Sequence, residues 1–216
     1  MSRPEPRYGR YVGLLALVIL VLITVNTIVT KPNGARGIEP GHTIPPFAAP
    51  LALGTLTGDV NIATHADEGT AGRTPACAVQ GPGVLNVCAL YRGRPLVLAL
   101  FVDGGSCADV LDQMQALAGA FPTVSFAAVA IKGERKPLLA LMRKHGLRSV
   151  QVGIDRDGVL AGLYKVASCP QVSFVLPGGV VQSPALLDTP SPRTLRARVA
   201  ELAAAAGHGA SGRAPG

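Results

Sequence analysis

The second half of the chain alternates apolar runs with segments of helical periodicity, and this alternation constrains the fold more than any other feature. Residues 96–102 form a continuous apolar run, which is typical of a strand buried on both faces, and residues 124–131 and 150–154 are further predicted strands of mainly apolar residues. Between them, residues 107–121 and 134–145 carry apolar side chains at helical spacing. Strands that alternate with helices predict a mostly parallel sheet covered by helices.

The end of the chain departs from this alternation. Residues 171–176 are a further predicted strand, and only the Pro-Gly-Gly turn at residues 177–179 separates them from another short strand. So tight a turn predicts that the last two strands are antiparallel. A closing helix is expected over residues 192–206, because Ser191 suits the N-cap and proline suits the first helical position. The predicted fold class is therefore α/β, with a mixed sheet flanked by helices.

An uncharged apolar run near the N-terminus predicts a membrane anchor. Residues 11–29 would rise about 28 Å as a helix, close to the hydrocarbon thickness of a bilayer. Arg3, Arg7 and Arg10 precede the run, which places residues 1–10 in the cytoplasm. A cleaved signal peptide is the alternative, but no Ala-x-Ala site follows the run. We expect a single-pass protein of the cell membrane with its C-terminal domain outside the cytoplasm.

Composition sets the remaining boundaries and excludes two classes of protein. Proline and glycine dominate residues 30–46, which predicts a linker. Residues 47–206 are the predicted folded domain, and residues 207–216 are a predicted disordered tail.

The 48% of hydrophobic and 15% of charged residues exclude a disordered protein. The net charge of +7 is spread along the chain, so nucleic acid is not an expected partner.

The predicted location outside the cytoplasm suggests that the four cysteines form disulfides, because thiols outside the cytosol tend to be paired. They are Cys77, Cys88, Cys107 and Cys169, and three pairings are possible. A glycine-rich loop of ten residues separates Cys77 from Cys88, which favours a structural disulfide between them. The alternative is that one of these two resolves Cys107. The four histidines are scattered, so neither a metal site nor a cofactor is expected.

Cys107 lies at the predicted start of a helix. Unpaired N–H groups and the helix dipole favour a thiolate at such a position, which lowers the pKa of the thiol. Gly104 and Gly105 allow a partner to approach the backbone closely, and Ser106 can cap the helix. The alternative is a buried, inert cysteine.

The order of these elements resembles the thioredoxin fold: a buried strand, a cysteine at a helix start, and an X-Pro step before a hairpin and a final helix. Residues 155–179 hold an Asp-x-x-Gly turn, a short helix ending in Tyr-x-Val, and Cys169-Pro170. They resemble the redoxin branch, which includes membrane-tethered extracytoplasmic thiol–disulfide oxidoreductases and the alkyl hydroperoxide reductase/thiol-specific antioxidant group. Residues 41–60 resemble its N-terminal segment, and the resemblance covers roughly residues 41–205.

The resemblance also locates a site, with two departures from the family pattern. The family's Cys-x-x-Cys motif reads Gly104-Gly105-Ser106-Cys107 here, so its first cysteine is missing. Cys169 precedes the expected cis-proline, Pro170, where the family more often has threonine, valine or another small residue. Because these two loops face each other in the fold, the resemblance implies that Cys107 and Cys169 are neighbours. The implied substrate groove is formed by Pro170, Gly104, Gly105 and Ser106.

The implied function is thiol–disulfide exchange with protein thiols or disulfides. Cys107 and Cys169 would be the exchanging pair, and the redox donor is left open. One alternative is a single-cysteine peroxidase that oxidises Cys107 to a sulfenic acid, although the peroxidase pattern Pro-x-x-x-Thr-x-x-Cys is absent. The other is a non-catalytic module with two structural disulfides, whose groove binds an extended peptide.

Overall fold

The computed structural model divides the chain into two compact units, Met1–Ala35 and Arg36–Gly216. It describes residues 8–29, 37–60 and 74–211. The first unit contains helix α1 (Tyr8–Val29), whose side chains are described over residues 11–22.

No helix in the described part of the chain is both long enough and apolar enough to cross a membrane. The anchor at residues 11–29 therefore stays a prediction. The linker expected at residues 30–46 falls partly outside the described residues.

The second unit contains seven described strands and five described helices, together with two 3-10 turns. In chain order they are β1 (Ala48–Pro50), a 3-10 turn (Ala76–Ala78), β2 (Val84–Asn86), α2 (Val87–Tyr91), β3 (Leu96–Phe101), a 3-10 turn (Gly105–Asp109), α3 (Val110–Ala120), β4 (Ser125–Ile131), α4 (Arg135–Lys144), β5 (Gln151–Asp155), α5 (Val159–Leu163), β6 (Gln171–Val175), β7 (Val181–Leu187) and α6 (Pro192–Ser211). The alternation predicted after residue 95 is confirmed.

Five of these strands form the predicted mixed sheet, and their order in it is β5-β4-β3-β6-β7. Strands β3, β4 and β5 are parallel, whereas β6 is antiparallel to both β3 and β7. Phe101 pairs with Ala130, and Leu100 pairs with Gln171. The carboxyl end of β3 therefore lies beside the start of β6. Strands β1 and β2 form a separate antiparallel pair.

Strand β3 is apolar throughout because both of its faces are covered. Val97, Ala99 and Phe101 belong to one core cluster, together with residues of α3, α4 and α6. The residues between them, Leu96, Leu98 and Leu100, belong to a second cluster, which contains residues of α2 and α5. Two helical layers thus enclose the sheet, and every β3 side chain contributes to one of two cores.

The closing helix is longer than the sequence predicts. Ser191 caps it, accepting the Thr194 N–H at 3.1 Å as expected, but α6 continues to Ser211 rather than ending at Ala206. A run of alanines with high helix propensity carries the helix past Gly207. The His208 ring nitrogen lies 2.7 Å from the Ala204 carbonyl oxygen in its last turns. Residues 207–211 of the expected disordered tail are therefore helical.

Candidate active site

The predicted site residues meet at the edge of the sheet where β3 ends and β6 begins. Cys107 follows β3 by six residues, and Cys169 precedes β6 by two. The structure joins them by a disulfide, with Cα atoms 5.3 Å apart, inside the range that a disulfide requires. Both residues are half-buried, and Cys169 packs against the α3 side of the core.

Pro170, next to Cys169 in the chain, is buried, and the Cys169–Pro170 peptide bond is cis. The Pro170 carbonyl accepts the Asp188 N–H at 3.0 Å, which ties the start of β6 to the end of β7. Gly104, Gly105 and Ser106 are exposed on the facing loop. The four residues expected to form the groove therefore border the disulfide on two sides.

Cys107 does not lie in the first turn of an α-helix, contrary to the sequence-based expectation. Gly105 has φ of +56°, and the chain then forms the 3-10 turn, so that α3 begins only at Val110. Ser106 does not cap the helix; its carbonyl instead accepts the Thr189 hydroxyl at 3.0 Å. The left-handed glycine turns the loop before regular helical geometry is established.

The hydrogen bond at this disulfide is made to Cys169 rather than to Cys107. The Val102 N–H, the first beyond β3, donates to Cys169 Sγ at 3.2 Å. Among the hydrogen bonds of the described residues, none reaches Cys107 Sγ. An N–H donor stabilises a thiolate more than a thiol. When the disulfide opens, the negative charge is therefore better accommodated on Cys169 than on Cys107.

The second disulfide joins Cys77 to Cys88, with Cα atoms 5.4 Å apart. It links the first 3-10 turn to α2 and so closes the loop between them. Both cysteines pack with the α2 side of the core, on the face of the sheet opposite to the cluster that Cys169 contacts. The structure thus does not bring Cys88 to Cys107, and the structural role of the pair stays a prediction.

Asn86 organises this disulfide loop and is not evident from the sequence. It is buried, and its Nδ2 donates to the carbonyls of Ala76 at 2.9 Å and Val79 at 2.7 Å. Its Oδ1 accepts the Ala89 N–H at 3.2 Å and so caps α2. The available signal was a lone amide within the apolar sequence Val-Leu-Asn-Val.

Asp155, the last residue of β5, is fully buried. Its carboxylate accepts the backbone N–H groups that begin α5, from Gly158 and Val159 at 3.1 Å and from Leu160 at 2.9 Å. Burial raises the pKa of this carboxyl above its ordinary value, and repulsion from Asp157 raises it further, against the lowering effect of the N–H groups. In the described ranges, no group of three or more His, Cys, Asp or Glu residues could hold a metal ion.

The raised pKa of Asp155 predicts a pH-dependent stability. The native state binds the proton more tightly than the unfolded state, so this contribution is complete below the ordinary pKa of about 3.9 and is lost as pH rises through the raised value. The free energy of unfolding of the wild type, minus that of Asp155→Asn, should therefore fall as pH rises from about 3. Urea unfolding from pH 3 to pH 8 measures it. Asp157→Asn, which keeps the buried carboxyl, should retain the dependence, and a pH-independent difference for Asp155→Asn would contradict the assignment.

Comparison with protein-family models gave no match, and comparison with curated protein sequences gave none. Solved structures do match. The thioredoxin domain of a thiol-disulfide oxidoreductase from Bacteroides vulgatus aligns with a TM-score of 0.56 at 11% identity, over 77% of this chain and 99% of that one. A protein named as thiol:disulfide interchange protein DsbE, from Chlorobium tepidum, aligns with a TM-score of 0.57 at 15% identity, over 76% and 98%.

The chain has a thioredoxin-like fold. DsbF from Mycobacterium tuberculosis, in a structure of mixed oxidised and reduced forms, aligns with a TM-score of 0.50 at 23% identity, over 55% of this chain and 87% of that one. In this thioredoxin-like domain, Cys107 and Cys169 form a disulfide between the loop after β3 and the loop before β6. That residues 104–107 stand in the place of a Cys-x-x-Cys motif stays a prediction.

Proposed function

We propose that the protein exchanges disulfides with protein thiols outside the cytoplasm, through Cys107 and Cys169. The observation that carries this proposal is the disulfide at the carboxyl end of β3, with a backbone N–H donated to one of its sulfurs. Ligands of open α/β sheets bind at this edge. Three solved structures with this fold, the oxidoreductase of Bacteroides vulgatus, DsbE and DsbF, support the same chemistry.

The proposed exchange proceeds in two displacements. A substrate thiolate attacks Cys107 Sγ, the disulfide breaks, and Cys169 leaves as a thiolate that the Val102 N–H stabilises. A second substrate thiolate then attacks the substrate sulfur of the mixed disulfide and releases Cys107. Two electrons and two protons pass from the substrate dithiol to the protein. The steps reverse when a substrate disulfide is reduced, so the proposal leaves the redox donor open.

Tethering to the membrane is part of the proposal and rests on the sequence. Residues 11–29 are uncharged, and three arginines precede them. The redox domain would then remain attached to the outer face of the cell membrane. Washed membranes should retain the full-length chain with Met1 at its N-terminus, and a secreted chain beginning near residue 31 would contradict tethering.

A redox titration of the full-length protein in glutathione buffers tests the proposed exchange. We expect a reduction potential between about −120 and −270 mV, the span of catalytic thiol–disulfide proteins. A potential below about −300 mV is typical of structural disulfides and would favour the non-catalytic binding module. A peroxidase would instead reduce hydrogen peroxide through a sulfenic acid at Cys107.

The matched control in this titration removes the other disulfide. The double variant Cys77→Ser/Cys88→Ser should keep the potential of the Cys107–Cys169 pair, because the two pairs contact different core clusters. Its free energy of unfolding should fall by about 2–3 kcal/mol, from the lost constraint on the unfolded chain. A changed potential would show that the two disulfides are coupled.

A further inference from the structure

A basic cleft lies on the same edge of the sheet as the cysteine pair. It is a cavity of about 410 Å³ lined by Lys132, Gly133, Glu134, Arg135, Lys136 and Arg156. These residues follow β4 and β5, whose carboxyl ends are neighbours through the pair Ile131 and Asp155. Since β4 also pairs with β3 and β3 pairs with β6, about two strand spacings, roughly 10 Å, separate the cleft between β4 and β5 from the disulfide between β3 and β6. At the end of β3, Cys169 Sγ accepts the Val102 N–H.

Positive charge dominates this cleft. Lys132, Lys136 and Arg156 are exposed, and within the described ranges none of them forms a hydrogen bond or an ion pair. Glu134 is the anionic residue of the cleft wall, and Asp157 adjoins Arg156 in the sequence. The excess of cationic groups leaves the cleft able to bind an anionic partner.

The lysine on the inner side of the cleft is held in place by its backbone and by a glycine. Lys132 directly follows β4 and has φ of +51°, an uncommon value for a residue other than glycine. Its stem crosses Gly158, where an added Cβ would lie 2.9 Å from Lys132 Cγ and 3.0 Å from Lys132 Cε. The Lys132 side chain is therefore directed along the turn that carries Arg156.

A fourth cation, Arg135, has a structural role. Its guanidinium donates to the backbone carbonyls of Leu51 at 2.9 Å and Ala52 at 2.7 Å, and also to those of Gly54 and Leu56. These bonds hold the segment after β1 against the start of α4. Arg135 is thus occupied by these carbonyls, while the other three cations of the cleft remain available to a partner.

We propose that the cleft binds an acidic, extended segment of the protein whose cysteine reacts with Cys107, an inference that rests on the proposed exchange function. An extended chain rises about 3.3 Å per residue, so an acidic side chain three or four positions from the reacting cysteine spans roughly 10–13 Å. That length matches the separation between the cleft and the disulfide. The substrate class is therefore proteins with Asp or Glu close to a reactive cysteine.

Two synthetic peptides of matched length test this inference, Cys-Gly-Gly-Glu-Glu-Glu and Cys-Gly-Gly-Lys-Lys-Lys, each blocked at both ends. The peptide thiolate attacks Cys107 Sγ of the oxidised full-length protein, Cys169 leaves as a thiolate, and the mixed disulfide is counted by quenching and mass spectrometry. The acidic peptide should react about tenfold faster at low ionic strength. The difference should disappear near 1 M salt, where exposed charges are screened. Lys132→Glu/Lys136→Glu/Arg156→Glu should reverse the preference.

The control variant Arg143→Glu/Lys144→Glu/Arg148→Glu carries the same change in net charge at the far end of α4 and just beyond it, and should keep the preference for the acidic peptide. Lys136→Gln alone, at an exposed helical position, should lower that preference about twofold. Equal rates for the two peptides, with normal reduction by neutral dithiothreitol, would overturn the inference and leave the exchange function standing.

Three further results would also overturn the inference. The first is an equal loss of preference in the cleft and control variants, which would assign the effect to net charge. The second is a cleft variant that loses the wild type's preference for phosphatidylglycerol over phosphatidylcholine vesicles but keeps its peptide preference, which would assign the cleft to a lipid surface. The third is a failure of dithiothreitol to reduce the disulfide, which would remove the proposed exchange function together with this inference.

Discussion

Replacing either Cys107 or Cys169 with serine should abolish two-electron disulfide exchange, and the two remaining thiols should differ in pKa. In Cys107→Ser, the Cys169 thiolate keeps the Val102 N–H, 3.2 Å from its sulfur. A hydrogen bond to a charged group contributes about 1.5–3 kcal/mol, so this donor should hold the pKa of the Cys169 thiol below that of an ordinary cysteine. In Cys169→Ser, the Cys107 thiol lacks such a donor and should have the higher pKa.

Rates of iodoacetamide alkylation between pH 5 and pH 10 measure both pKa values, and the Cys77–Cys88 disulfide remains closed in both variants. The single remaining thiol of Cys169→Ser should also hold a mixed disulfide with a substrate, because no resolving cysteine is left. A lower pKa at Cys107 than at Cys169 would contradict this polarity. That result would make Cys107 the more stable thiolate, as its predicted position at a helix start suggests.

Asn86→Ala should lower the free energy of unfolding by about 3–4 kcal/mol, one of the largest effects available outside the two cores. The substitution removes two donated bonds and one accepted bond from a side chain that is 6% exposed. It leaves the Val79 carbonyl without a donor and the Ala76 carbonyl with only the Val79 N–H, and burying an unpaired polar group costs about 1–3 kcal/mol. Urea unfolding with the Cys77–Cys88 disulfide intact measures the loss.

Asn86→Ser is the matched control, because a serine hydroxyl can still accept the Ala89 N–H that begins α2. It should recover about 1 kcal/mol relative to alanine, the usual contribution of an N-cap side chain. Equal stabilities of the serine and alanine variants would remove the capping role. A loss below about 1 kcal/mol for alanine would show that water replaces the donated bonds.

Local sequence patterns did not predict the pairing of Cys107 with Cys169. From the residues alone, four cysteines allow three pairings, and only the resemblance to thioredoxin implied that Cys107 and Cys169 are neighbours. The structure brings them together across 62 positions of sequence, because antiparallel pairing of β3 and β6 places Leu100 opposite Gln171. Register between distant strands depends on the packing of the whole sheet, and no local pattern encodes it.

The sequence by itself determined the fold class, the three longer helices of the domain, the buried strands and the antiparallel end of the sheet. Those features follow from side-chain periodicity and turn residues, which act over a few positions. Only the tertiary structure decided that Cys107 lies in a 3-10 turn, that Asn86 spans the disulfide loop, and that Lys132 and Arg156 line one cleft. Each of these depends on contacts between residues that are separate in sequence. Such contacts form only when the two cores assemble on either side of the sheet.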